Sequence, residues 1–140
     1  MSVVGVGIDA VEIDRFRRVL ARTPGVARRL FTDGERAYGA RFRDPTGRLA
    51  ARFAAKEAAM KALGVGLGAI RFREVEVVRA ASGEPRLRVV GGAAALARGR
   101  GVDGWRVSLT HTDRQAQAVV VAVSETPYAS GTEEGGGPRR

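Results

Sequence analysis

Apolar positions along this chain switch between a period of two and a period near 3.6, and the switches mark out its elements. Residues 2–8 are β-branched and loosely alternating, which predicts a first strand. A helix follows over about 12–21, with Ile13, Phe16 and Leu20 on one face and Arg15, Arg18 and Arg22 on the opposite one. Thr23-Pro24 has the form of an N-cap and a first-turn proline, opening a short helical turn toward Leu30. Thr32 with Glu35 three residues on is a capping box that starts a helix through about Arg41. Asp44-Pro45-Thr46 opens a long Ala-rich helix that ends near Gly64.

The loop Gly64-Val65-Gly66-Leu67-Gly68 cannot continue that helix. Strands are predicted at about 73–79 and 85–90 around a turn at 81–84, then a helix over 91–100. Two more strands follow, about 105–110 and 116–123. The second is apolar on both faces and should be central in a sheet. From Thr126 onward Pro, Ser, Gly, Thr and Glu dominate. The expectation is one α+β domain over 1–125 and a disordered Gly/Pro-rich tail over 126–140.

Composition narrows the function. With 140 residues and 44% hydrophobic content the chain supports one domain with a real core. It carries no long apolar run and no basic-then-apolar leader, so a soluble cytoplasmic protein without membrane association is expected. No cysteine is present, which removes disulfides and thiolate metal sites. The formal charge is +9, carried almost wholly by arginine, and it calls for an acidic partner: nucleic acid, a phosphorylated small molecule or an acidic protein. Aromatic residues do not interleave with the arginines as a stacking platform, so nucleic acid is the weaker of these.

The only lysines, Lys56 and Lys61, fall together in the long helix. Phe53, Glu57 and Lys61 stand at i, i+4 and i+8 and form one stripe, flanked by Ala54 and Met60. Glu57 therefore sits beside an apolar side, where a carboxylate needs a partner or serves as one. Asp9 ends the first apolar run, and two such acids with a nearby lysine suggest a divalent metal that handles phosphate. Ordinary readings compete at each place. Asp9 could cap a helix, Glu57 and Lys61 could be an i, i+4 ion pair, and the arginine face could be a solvated surface. The lone His111, in Ser108-Leu109-Thr110-His111-Thr112, could bind phosphate or merely decorate a hairpin turn. No complete dinucleotide fingerprint or P-loop is present.

Taken together, three blocks resemble the holo-[acyl-carrier-protein] synthases, the short 4′-phosphopantetheinyl transferases. They are Gly7-Ile8-Asp9-Ala10-Val11-Glu12-Ile13-Asp14-Arg15-Phe16, Phe53-Ala54-Ala55-Lys56-Glu57-Ala58 through Lys61-Ala62-Leu63-Gly64, and Val107-Ser108-Leu109-Thr110-His111-Thr112. Leu30-Phe31-Thr32 with Glu35, Gly83-Glu84-Pro85 and the run 118–122 agree, so the resemblance spans about 3–124. Met60 where a smaller residue is common, and the glycine-rich tail, are the departures.

The resemblance implies an antiparallel-rich sheet packed with a long helix, assembled as a homotrimer with the active site between subunits. It implies transfer of the phosphopantetheine arm of coenzyme A to a serine of acyl carrier protein, with release of adenosine 3′,5′-bisphosphate. Fatty-acid carriers are the default acceptors and polyketide carriers the alternative. By the same resemblance Asp9 and Glu57 hold Mg2+, and Lys61 contacts the pyrophosphate. The serine proton goes to Glu57 directly or to a water held by the metal. His111 with Ser108, Thr110 and Thr112 binds coenzyme A phosphates or positions the active centre. Arg52, Gly64, Gly66 and Arg86 contact the nucleotide, and Arg15, Arg18 and Arg22 dock the acidic carrier protein.

Overall fold

The structure, a computed structural model, describes residues 1–125; the predicted tail at 126–140 lies outside them. The elements run β1 (Ser2–Glu12), α1 (Ile13–Arg22), α2 (Val26–Leu30), α3 (Asp33–Gly39) and α4 (Thr46–Leu63). A 3-10 turn at Phe72–Glu74 leads into β2 (Val75–Arg79), β3 (Pro85–Val89), α5 (Gly91–Gly99), β4 (Gly104–His111) and β5 (Gln115–Ser124). β1, β5 and β4 form an antiparallel sheet in that order, and β2 pairs with β3 in a separate hairpin. The expected α+β architecture is present, with β5 central as its two-sided apolar pattern predicts.

Helix α4 lies across one face of the three-stranded sheet, and its small side chains let the two layers approach closely. Ala54, Ala55, Ala58, Ala59 and Ala62 are all buried against the sheet or the surrounding helices. From the strand side the approach depends on glycine. A Cβ at Gly7 would collide with the carbonyl oxygen of Ala58, and one at Gly5 with that of Ala62. Since side chains alternate along a strand, Gly5, Gly7, Asp9 and Val11 share the face that looks at α4. The close contact at the glycines thus delivers Asp9 to the helix stripe of Glu57 and Lys61. α4 ends at Gly64, φ +70°, where the Val65 N–H donates to the Met60 carbonyl at 3.0 Å.

The other sheet face is open and apolar. Val6 is 59% exposed and Ile8 65%, and Ile8 stands opposite Val119, which in turn stands opposite Ser108. The second anchor of the fold is a buried ion pair. Lys56 Nζ donates to Glu35 Oε1 at 2.7 Å and to the carbonyl oxygens of Phe72 and Val75, at 2.9 and 2.5 Å. Glu35 also completes the predicted capping box with Thr32 and accepts from the Val77 N–H at 3.0 Å.

Three expectations change. β1 runs to Glu12 because β5 offers partners as far as Gln115, so Asp9 is a mid-strand residue opposite Ala118 and not a helix cap. Thr23 terminates α1 by donating its N–H to Val19, and α2 starts after Gly25 at φ +80° instead of at Thr23-Pro24. The residues expected to open the strand at 73 form the 3-10 turn, held by the Arg71 N–H donating to Glu74 at 3.1 Å.

Candidate functional site

Two clefts gather the candidate residues. The first, of about 520 Å3, is lined by Asp9, Glu12, Arg15, Phe16, Phe53 and Glu57 among others. Strand β1 supplies Asp9, and the i, i+4 stripe of α4 supplies Glu57 and Lys61. Lys61 Nζ donates to Asp9 Oδ1 and to the Ile8 carbonyl, both at 3.0 Å. The Asp9 side chain is only 13% exposed, while that of Lys61 is 55% exposed. Glu57 is half-buried, with the Asp9 carboxylate beside it. Burial first, and then the neighbouring Asp9 carboxylate, push its pKa up to about 7, against the opposing pull of Lys61. Two acids set side by side, one of which keeps its proton up to about neutral pH, are a fitting place for a divalent cation, which would replace that proton. Glu12 lines the same cleft, but among the described residues no three acids, histidines or cysteines are grouped to hold a metal ion. This suits Mg2+, which takes one or two carboxylates and completes its shell with phosphate oxygens and water.

The second cleft, of about 230 Å3, is lined by Tyr38, Arg48, Arg52, Arg79, Thr110 and His111 among others, with no carboxylate. α3 supplies Tyr38, α4 supplies Arg48 and Arg52, β2 supplies Arg79, and the end of β4 supplies Thr110 and His111. Arg52 is 5% exposed, and its Nε finds no hydrogen-bond partner among the described residues. Such a cationic, partly unsatisfied wall is suited to an anion.

The remaining candidates are spread out. Ser108 and Thr110 point to the open sheet face and line a groove there with Ile8. His111 ends β4 rather than lying beyond it. Thr112 Oγ1 accepts the N–H groups of Arg114 and Gln115, both at 3.2 Å, so its hydroxyl serves the β4–β5 turn. Gly64 caps α4, Gly66 lies in the loop behind it, and Arg86 pairs with Glu84 at 3.1 Å on β3, in neither cleft. Arg15 borders the acid cleft, and Arg18 and Arg22 extend an exposed basic face from it along α1. Tyr38, Arg48 and Arg79 escaped the sequence reading. They come from three distant elements, and in an arginine-rich chain no single arginine stands out.

An α+β frame that sets paired acids beside a lysine, with a cationic cleft near the end of β4, is chemically suited to handling phosphate. The family model described as the 4′-phosphopantetheinyl transferase superfamily matches residues 5–123. A holo-[acyl-carrier-protein] synthase of Streptomyces avermitilis is 53% identical over 122 residues, covering 87% of this chain and 98% of that protein. The crystal structure of the Neisseria meningitidis holo-[acyl-carrier-protein] synthase aligns with a TM-score of 0.78 at 30% identity, over 87% of this chain and 99% of that one. A Bacillus anthracis holo-(acyl-carrier-protein) synthase, solved in complex with CoA (3′,5′-ADP), aligns at 0.71 and 31% identity, over 86% and 96%. The chain belongs to the 4′-phosphopantetheinyl transferase superfamily and, within it, to the holo-[acyl-carrier-protein] synthases, a family of transferases.

Proposed function

We propose that this protein transfers the 4′-phosphopantetheine arm of coenzyme A to a serine hydroxyl of apo-acyl carrier protein and releases adenosine 3′,5′-bisphosphate. The observation that carries this reading is the meeting of Asp9, Glu57 and Lys61 at the glycine-dependent contact of β1 with α4. The serine oxygen forms a bond to the phosphorus that carries pantetheine, and the bond from that phosphorus to the bridging oxygen breaks. The hydroxyl proton passes to Glu57 or to a water held between Asp9 and Glu57. Lys61 stands one helical turn beyond Glu57, where its ammonium offsets charge on the departing phosphate. Asp9 and Glu57 would hold Mg2+, which when bound supplies charge neutralisation for the pyrophosphate. Phosphoryl transfer asks the protein mainly for such positioning and charge.

If the pyrophosphate lies at Lys61, the 3′-phosphate is the remaining anion of coenzyme A, and the cleft of Arg48, Arg52, Arg79 and His111 fits it. The open apolar face of β1 and β5 supports a homotrimer in which this cleft of one chain completes the acid cleft of another. The exposed arginines of α1 give an acidic carrier protein a docking face next to the acids. The same reading places the enzyme in the cytoplasm, serving fatty-acid carriers, with polyketide carriers as the other acceptor class. Among the described residues no helix is long and apolar enough to cross a membrane.

The test is the intact mass of apo-acyl carrier protein after incubation with this protein, coenzyme A and Mg2+. A gain of one phosphopantetheine arm, abolished by chelation or by Glu57→Ala, is the expected result. No gain with several carrier proteins and folded enzyme would overturn the reading.

A further inference from the structure

The arginines of the second cleft are held by aromatic rings rather than by acids. The Arg52 guanidinium carbon lies 4.1 Å from the Tyr38 ring centroid, that of Arg79 5.5 Å and that of Arg41 5.8 Å. Tyr38 itself is braced edge-on by Phe42 at 5.2 Å, and Arg48 covers the Phe42 ring at 3.5 Å. The Tyr38 phenol oxygen accepts from Arg79 Nη1 at 2.7 Å, and Arg79 Nε is fixed in turn by the Gly83 carbonyl at 3.1 Å. The nearest buried acid, Glu35, is already committed to Lys56.

A carboxylate among these arginines would neutralise them. A ring face and a neutral phenol instead attract guanidinium groups and leave their net charge free for a ligand. Arg79 is tied at Nε and Nη1, so its Nη2 remains to meet a further acceptor, and the residue lines the cleft. Burial alone would raise the Tyr38 pKa. The Arg79 hydrogen bond, the charges of Arg52 and Arg79, and a hydrogen bond with Arg48 outweigh it and hold the phenol below its usual range. The hydroxyl therefore behaves as an acceptor for the arginines around it.

We propose that Tyr38 is the positioning residue of the nucleotide end of the site: it preforms the Arg52–Arg79 fork that reads the 3′-phosphate and so makes the enzyme discriminate against 3′-dephospho-coenzyme A. The proposal rests on the transferase reading above. Tyr38 touches the arginines and not the reacting atoms, so its loss acts on binding of one phosphate rather than on the chemical step.

The experiment is steady-state transfer to a carrier protein by the wild-type enzyme, Tyr38→Phe and Tyr38→Leu, with coenzyme A and with 3′-dephospho-coenzyme A as donors. Tyr38→Phe keeps the ring and removes the hydrogen bond from Arg79. It should raise KM for coenzyme A about tenfold with kcat within about twofold, the loss of roughly one charge-assisted hydrogen bond. KM for the dephospho donor should not move. Tyr38→Leu should erase the preference between the donors. In an Arg79→Lys background, Tyr38→Phe should have little further effect, because both changes remove one contact. Equal KM changes for both donors, or none, would overturn the proposal, as would a wild-type enzyme that uses both donors alike. A wild-type enzyme that transfers from neither donor would instead sink the transferase reading.

Discussion

Helix α4 carries two lysines five residues apart, and they lead opposite lives. Lys56 and its partner Glu35 are completely buried, and the ammonium has three acceptors, all from the protein. Lys61 is mostly exposed and touches Asp9 and one carbonyl, beside a Glu57 whose pKa is pushed up to about 7. The first group of charges is satisfied within the chain and joins α3, α4 and β2 into one body. The second is left incomplete, with acids too close for comfort and donors still free to meet a ligand. The same residue types thus separate into scaffold and site by how fully their bonding capacity is used up.

Removing the Lys56 ammonium is the strongest way to break this contrast. Lys56→Met leaves Glu35 as a buried, uncompensated charge and should cost about 3–5 kcal/mol of stability. Urea unfolding measures it. Adding Glu35→Leu should recover much of the loss, since burying neither charge is often as good as burying both. A single variant as stable as the wild type would show that the pair is not the joint described. Burial holds the Lys56 pKa below its usual range, with Glu35 chiefly and Glu76 to a lesser degree opposing that shift.

The matching change at the other lysine should affect the other property. Lys61→Met should leave stability within about 1 kcal/mol, because its pair is half open to solvent. Transfer should fall about 10- to 100-fold, the worth of a charged hydrogen bond to the departing phosphate. Initial rates and a melt on the same sample test both halves. A stability loss like that of Lys56→Met would erase the distinction between scaffold and site.

How much of this division can be read from the sequence depends on spacing. The i, i+4 stripe of Glu57 and Lys61 is visible because a helix has a fixed period, and the Thr32–Glu35 box because a cap has a fixed offset. Asp9 shows up as an acid at the end of an apolar run. Its place in mid-strand does not, because β1 is prolonged by pairing with residues more than a hundred positions away. Glu35 reads as a cap only, since nothing local shows that Lys56 reaches it from the next helix, 21 residues on. The aromatic-held arginines are the least legible: Tyr38 and Arg79 meet only once α3 and β2 are packed.

The smallest effect is expected in the pH dependence of the metal-free protein. Glu57 has an ordinary value of 4.5 and is pushed up to about 7 in the folded chain, by burial first and then by Asp9. The folded state therefore holds this proton more tightly than the unfolded one. The favourable contribution is whole below about pH 4.5 and is lost as the pH rises through about 7. Asp44, Glu74 and Glu84 are held below their usual range by hydrogen bonds, and they act in the opposite sense at lower pH. In chelator, the melting temperature should drift down between pH 5 and 7, and Glu57→Gln should flatten that drift. Mg2+ should reverse the trend, because it binds the pair only without its proton. Superimposable pH profiles for the wild type and Glu57→Gln would mean that Asp9 and Glu57 are not strained against each other. The open end of α4 would then be no less settled than the buried one.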